Sequence, residues 1–354
     1  MKRSHIFPIA MIVLCGVAAV SAQDGHFGLP FLVAIGDKRG FMDANCHMVS
    51  SAQYSEALAF SEGLAAVKIG EKWGYIDVQG SVVIPPKFAG AWFFSDGLAS
   101  VKLSERSPLW GFIDKKGNVV IQPQFGMPLR FSEGHVEGYG EKNKVLNIPL
   151  GYMDKNGRYV VRLNEPGLEV EFLVGFSEGL ARVSMRPKHA DGSVGPSMYG
   201  YIDTNGHWVV PCSFEGADDF HQGLAAVTGK DGTWGYIDTE GRFAILPRFE
   251  AASEFSEGLA VVRMAGRWSW INKNGEVVVS PALEAEEVGA FQSGMAMFVH
   301  NRKIGYVNIK GETVIPQTLD SGSEFIDGVA EVEDHQGYKV ISTSGNVTCT
   351  LSRQ

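Results

Sequence analysis

Residues 175–179 read Gly-Phe-Ser-Glu-Gly, a match to G-x-S-x-G. In hydrolases this pattern builds a nucleophile elbow, a strained strand-to-helix turn that presents the serine to a base and an oxyanion hole. A second set with chemical potential is a row of carboxylates. Asp77, Asp114, Asp154, Asp203 and Asp238 recur at matched positions, as a catalytic or calcium-binding row would. Asp154-Lys155-Asn156-Gly157 starts like a calcium loop but lacks the remaining ligands and the distal glutamate. The nine histidines are scattered, with no HExxH and no spacing suited to a metal, so no metal and no cofactor are expected.

What positions these residues is a repeat. Phe-Ser-Glu-Gly-Leu-Ala at Phe60 returns, with changes, at Phe94, Phe131, Phe176, Phe220, Phe255, Phe291 and Phe325. Trp-Gly-Tyr-Ile-Asp at Trp73 returns at Trp110, Leu150, Tyr199, Trp234, Trp268, Ile304 and Tyr338, after an opening copy at Arg39. This gives nine units of about 35 residues. Each reads as three short strands: Leu64–Lys68, Trp73–Asp77 and Val82–Ile84 in unit two. In the first strand the second and fourth positions face in and the variable third and fifth face out, by period-two alternation. Pro85, Pro123, Pro211, Pro247 and Pro316 close the third strand. The acid of each Asp-x-x-Gly stretch, with Gly80, Gly117, Gly157 or Gly206 at the fourth position, marks a type I turn capped by its own side chain.

That rhythm decides between chemistry and architecture. The slot of Ser177 also holds Ser61, Ser95, Ser132 and Ser256, but His221, Gln292 and Ile326 too. A nucleophile needs one copy with a base, not five copies with three failures. The context is a turn entering a strand, in which Gly63 or Gly179 supplies a backbone conformation other residues resist. Asn272, Asn308 and Ser342 fill the aspartate slot, keeping the turn and losing acid–base capacity. The aromatic row around Trp73, Trp110 and Trp234 reads as an internal ladder, with an exposed stripe for sugars or peptides as its alternative.

The phrases closely resemble those of WG-repeat (KWG-type) proteins, all-β repeat proteins common in bacteria and often exported. The resemblance covers about residues 27–350. Arg39, Leu150 and Tyr338 replace the Trp, and Ser269 replaces a Gly. The resemblance implies a binding or scaffold module and carries over no catalytic residues.

Residues 1–22 read as a secretory signal peptide: Lys2 and Arg3, an apolar run from Ile6 to Val20, and small residues ahead of cleavage after Ala22. The single domain is then 23–354, secreted or periplasmic, with no membrane-spanning segment left. Losing Lys2 and Arg3 takes the formal charge from −9 to −11, which disfavours nucleic acid. Cys46, Cys212 and Cys349 form no framework of disulfides.

The expected fold is an open, solenoid-like stack, since nine units exceed the usual number of propeller blades and both end units look complete. A closed β-propeller is the alternative. In a ring Cys46 and Cys349 would be neighbours, and in an open stack they would lie far apart. Length insertions between the first and second strands cluster in units three to five, at Leu103–Leu109, Glu141–Pro149 and Arg186–Met198. They hold Arg106, Lys142, Lys144, Arg186, Lys188 and His189, a basic patch suited to an acidic partner. The function read from the sequence is a non-catalytic binding or scaffold module for a protein or peptide at these tips. A structural envelope protein and a hydrolase using Ser177 are the alternatives.

Overall fold

The computed structural model describes residues 29–43, 47–142, 146–229, 231–280 and 285–351. Among them the regular structure is entirely β: nine antiparallel sheets follow one another along the chain, each of three or four strands. Blade three shows the complete unit, with strands a (Gly90–Ser95), b (Leu98–Lys102), c (Trp110–Asp114) and d (Val119–Phe125) paired in that order. The Phe-Ser-Glu-Gly phrase ends strand a and turns into b. In blade two, Ser61 and Leu64 exchange backbone hydrogen bonds of 2.9 and 3.1 Å across Glu62 (φ 51°) and Gly63 (φ 82°). Two consecutive positive φ values make this a type I′ hairpin, whose twist matches that of the strands it joins. The Asp-x-x-Gly phrase joins c to d through a type I turn closed by Gly80 N–H donating to Asp77 O at 2.9 Å.

Strand c carries the contact to the next blade. Tyr75 stacks edge-on against Phe94 at 4.9 Å, Tyr201 against Phe220 at 4.8 Å and Tyr236 against Phe255 at 4.9 Å. The hydroxyls reach further: Tyr75 donates to Trp92 O at 2.9 Å, Tyr236 to Ser253 O at 2.8 Å and Tyr306 to Ser323 O at 2.7 Å. A buried phenol is favourable when its hydroxyl finds such an acceptor. In blade seven the slot holds Trp270, whose indole N–H donates to Gly289 O at 3.0 Å.

The chain closes into a nine-bladed propeller, so the open solenoid expected above is corrected to its alternative. Met42 Sδ of blade one lies 3.8 Å from Cys349 Sγ of blade nine, 307 positions away in sequence. The shape of the unit explains the closure. Strand a is the shorter edge: six residues in blades three, five and seven and only Glu287–Val288 and Ser321–Gly322 in blades eight and nine, whereas strand d runs for seven residues in most blades. Wedges with a narrow inner edge rotate about an axis instead of translating along one. Blades one and nine each draw all their described strands from their own end of the chain, so no strand is shared across the junction.

Two further expectations change with the ring. The third position of strand b is buried in several blades, not outward-facing: Ala66 is 2% exposed, Ser100 1% and Ala226 0%. The fifth is buried at Ser184 and Thr228. A blade is covered on both faces by its neighbours, so alternation separates two neighbours rather than core from solvent. The prolines do not end strand d. Pro85 and Pro86 sit inside Val82–Phe88, where the pairing with strand c shifts register between Tyr75–Ile84 and Trp73–Phe88. Strand d is the outer edge, lined by exposed Val82, Val83, Val120 and Val278, and a bulged, proline-bearing edge resists further pairing.

Candidate functional site

Consecutive antiparallel strands put the a–b and c–d turns on one face of the ring and the b–c hairpins on the other. The first face contains Ser177. Its hydroxyl donates to Phe220 O of the next blade at 2.7 Å. The same bond recurs from Ser61 to Phe94 O at 2.7 Å, Ser95 to Phe131 O at 2.5 Å and Ser256 to Phe291 O at 2.7 Å. Glu178 accepts from the amides of Gln222 and Gly223 at 2.6 and 2.7 Å, as Glu257 accepts from Gly294 and Gln222 from Gly258, both at 2.8 Å. The phrase is therefore a clasp between blades. Its serine and its acid are both engaged by the turn ahead.

The aspartate row is spent in the same way. Asp77 Oδ1 accepts from Gln79 N–H at 3.0 Å and Ser81 N–H at 2.8 Å; Asp203 accepts from Asn205 and His207 at 2.9 and 2.8 Å. The Arg242 amide, helped by the Arg242 side chain, holds the Asp238 carboxyl below the usual range against the opposing effect of burial. Asn272 makes the same pair of bonds to Asn274 and Glu276 at 3.0 Å, so the slot needs an oxygen and not a charge. Each turn glycine also faces the preceding blade. A Cβ on Gly117 would stand 2.9 Å from Ile84 Cγ2, at φ 80°. Of the repeat aromatics, Trp73 is buried and Trp110 and Trp234 are half-buried, as an internal ladder requires. Asp114 caps its turn through Lys116 and Asn118. No group of histidines, cysteines and carboxylates that could hold a metal is present among the described residues.

Around the inner strands lies a polar belt that sequence reasoning did not single out. Arg182 Nε donates to Asp219 at 2.9 Å, His221 pairs with Glu254 at 2.8 Å, and Gln292 donates to Glu324 at 2.7 Å. Burial pushes the Glu137 carboxyl up to about 7, with the Asp219 charge adding to it. Burial likewise raises Asp218 to about 6, opposed by Arg182. The signal available in the sequence was the one or two residues before each repeat Phe: apolar at Leu58 and Trp92, charged at Asp218, Asp219, Glu254 and Glu324.

The opposite face carries the insertions. In blade five strand a (Leu168–Leu173) pairs with b (Leu180–Pro187) from Leu168–Pro187 down to Leu173–Val183. Beyond it the tip is ordered, with a Lys188–Val194 bridge, His189 N–H donating to Ser193 O at 2.8 Å and Asp191 accepting from Ser193. Glu171 accepts from Ser184 and Ser197 at its base. Arg186 does not join a basic patch. Glu169 and Glu171 lie 3.5 and 3.7 Å from its guanidinium and neutralise it. Lys188, His189 and Arg106 are exposed. The Lys142 side chain, Lys144, Ala22 and the whole of residues 1–22 lie outside the described residues.

No curated protein matches the chain. Among solved structures, it is similar to the C-terminal WD40 domain of Sif2 (9% identity over 90% of this chain and 99% of that one, TM-score 0.35). It is also similar to prolyl oligopeptidase B from Galerina marginata (11% identity, 82% and 56%, TM-score 0.39). A further match is the WD40 β-propeller domain of Doa1 (10% identity, 49% and 65%, TM-score 0.27), of whose length the chain spans less than two thirds. The family model for the WG containing repeat matches seven times, at 40–73, 73–105, 110–136, 199–234, 234–268, 268–303 and 304–338. Those matches fall on the clasp, the buried aromatics and the capped turns described above and span more than half of the sequence, so the chain belongs to the family of WG-repeat proteins.

Proposed function

We propose that this propeller is a non-catalytic binding scaffold that engages a protein or peptide on its b–c face, at blades three to five. One observation carries the reading. The recurrent polar residues of the a–b and c–d face are consumed in bonds between and within blades, while the added length is concentrated in consecutive b–c hairpins on the other face. Loops that project from a rigid scaffold are where binding residues concentrate. In blade five the added length is an ordered arm, which lowers the entropic cost of binding. Lys188, His189 and Arg106 favour an acidic segment on the partner, as exposed charges steer association. The acidic body disfavours nucleic acid. We further propose that residues 1–22 direct export and are removed after Ala22.

Replacing Lys188–Gly195 by a two-residue turn tests the binding reading. Pull-down of the partner should be lost while the melting temperature stays within about 2 °C, because the tip lies beyond the ring's core. Retained pull-down would contradict it. Export is tested separately by N-terminal sequencing of the protein recovered outside the cytoplasm, which should begin at Gln23.

A further inference from the structure

The polar belt of the inner strands is not part of the repeat, and one of its members stands apart. The third residue of strand b reaches toward the inner strand of the next blade. In blade three Ser100 donates to Leu129 O at 2.7 Å and accepts from Leu129 N–H at 3.0 Å. In blade five Arg182 donates to Asp219 at 2.9 Å and to Ala217 O. In blade four the same slot of strand b (His135–Lys142) holds Glu137, and blade five offers it no donor. Val174 N–H is committed to Arg182 O, and Val174 O accepts from the Tyr152 hydroxyl. Gly175 has no side chain in the slot before the repeat Phe, which Asp219, Glu254 and Glu324 fill in blades six, seven and nine. Glu137 Oε1 lies 3.8 Å from where a Cβ on Gly175 would stand.

Apart from its own amide, no described residue donates a hydrogen bond to the Glu137 carboxylate. The protein encloses the group on nearly every side, yet part of the residue's surface stays open. A side chain so placed faces the hollow of the ring rather than its exterior. The neighbouring charges face the same space. The Asp219 charge reaches Glu137 from blade six, and the Glu254 charge in blade seven reaches Glu324 in blade nine, each past an intervening blade. Arg182 balances Asp219, His221 pairs with Glu254, and Arg130 lies over the Phe93 ring of blade three. Glu137, and Glu331 in the same slot of blade nine, are paired with no cation among the described residues. These carboxylates do not gather closely enough to hold a metal. Their spread suits a larger cation with several N–H donors.

We propose that the inner wall of the ring binds an organic cation with N–H donors, a guanidinium or alkylammonium group, and that Glu137 is its principal anchor. Folding has already taken this carboxylate out of water and fixed its position, so an arriving cation gains a charge-assisted hydrogen bond in an enclosed, weakly screened site. The site is separate from the b–c hairpin tips and does not depend on the binding reading made for them.

The folded full chain is titrated calorimetrically with a blocked Gly-Arg-Gly peptide and, separately, with spermidine, at about pH 8, where the Glu137 carboxyl is ionised. Binding of either supports the site, and the two arms separate a polypeptide side chain from a free polyamine as its source. Glu137→Gln keeps the shape and removes the charge. It should weaken binding by about tenfold or more, the effect of one hydrogen bond to a charged group, while the melting temperature stays equal to or above that of the wild type. Glu331→Gln, made from the opposite end of the chain, should also weaken binding and carries the test if the first variant does not fold. Glu215→Gln removes an exposed charge outside the inner wall and should leave binding unchanged. Failure of both cations to bind, equal binding of a peptide with citrulline in place of arginine, or a loss in E215Q as large as in the folded inner-wall variants would overturn the proposal.

Discussion

Replacing Ser177 by alanine separates architecture from chemistry in the one stretch that most resembles an active site. The hydroxyl donates a single bond of 2.7 Å to Phe220 O, across the boundary between blades five and six. Its removal deletes one partly buried hydrogen bond and leaves a carbonyl less well satisfied, a loss of roughly 1–2 kcal/mol. The two bonds accepted by Glu178 remain, so the clasp loosens without opening. With a urea slope near 3 kcal/mol/M, the unfolding midpoint should fall by about 0.3–0.7 M. Ser256→Ala removes the equivalent bond to Phe291 O and should cost a similar amount. A fluorophosphonate probe should label neither protein above background. An unchanged midpoint in S177A, together with probe labelling of the wild type that S177A abolishes, would refute the clasp and restore a nucleophile.

Three other perturbations test the same framework. Gly117→Ala meets both a positive φ and Ile84 Cγ2 at 2.9 Å, whereas Gly63→Ala meets a positive φ and open space; urea unfolding should show a loss of about 1 kcal/mol for G63A and at least twice that for G117A. Asp154→Asn should change stability by less than about 0.5 kcal/mol, because Asn272 and Asn308 already cap such turns, while Asp154→Ala should cost about 1 kcal/mol. Glu137 titrates near 7 in the folded ring against 4.5 in its unperturbed state, so the folded protein holds the extra proton in between. Stability should therefore fall as pH rises from about 4.5 to 7, by up to roughly 3 kcal/mol from this group, and Glu137→Gln should flatten that slope in chemical unfolding at several pH values.

The repeat, its turns and its buried aromatics were legible because each is a local matter: a type I′ hairpin needs glycine within two residues, and an Asp-x-x-Gly turn caps itself. The inner strand was not legible. In blades two and six it reduces to isolated bridges such as Ala57–Val67 and Ala217–Val227, too short to show alternation. Closure was missed because it depends on the angle each wedge adds, which no single unit displays. Burial on both faces erased the inward–outward distinction at Ala66 and Ser100. Arg186 looked like part of a basic patch because Glu169 and Glu171, which neutralise it, lie on the strand beside it and 15 or more positions earlier in sequence.

Ring closure is tested most directly by the distance between the end blades. Spin labels at Asp37 and Gln336, exposed tips of the b–c hairpins of blades one and nine, in a chain whose native cysteines are serine, report it by pulsed dipolar spectroscopy. Adjacent blades in a closed ring predict a narrow distribution at roughly 20–30 Å, given sheets packed about 10 Å apart and label arms of several ångströms each. An open stack of nine sheets would instead place the labels about 80 Å apart, and a distribution centred there would contradict the account.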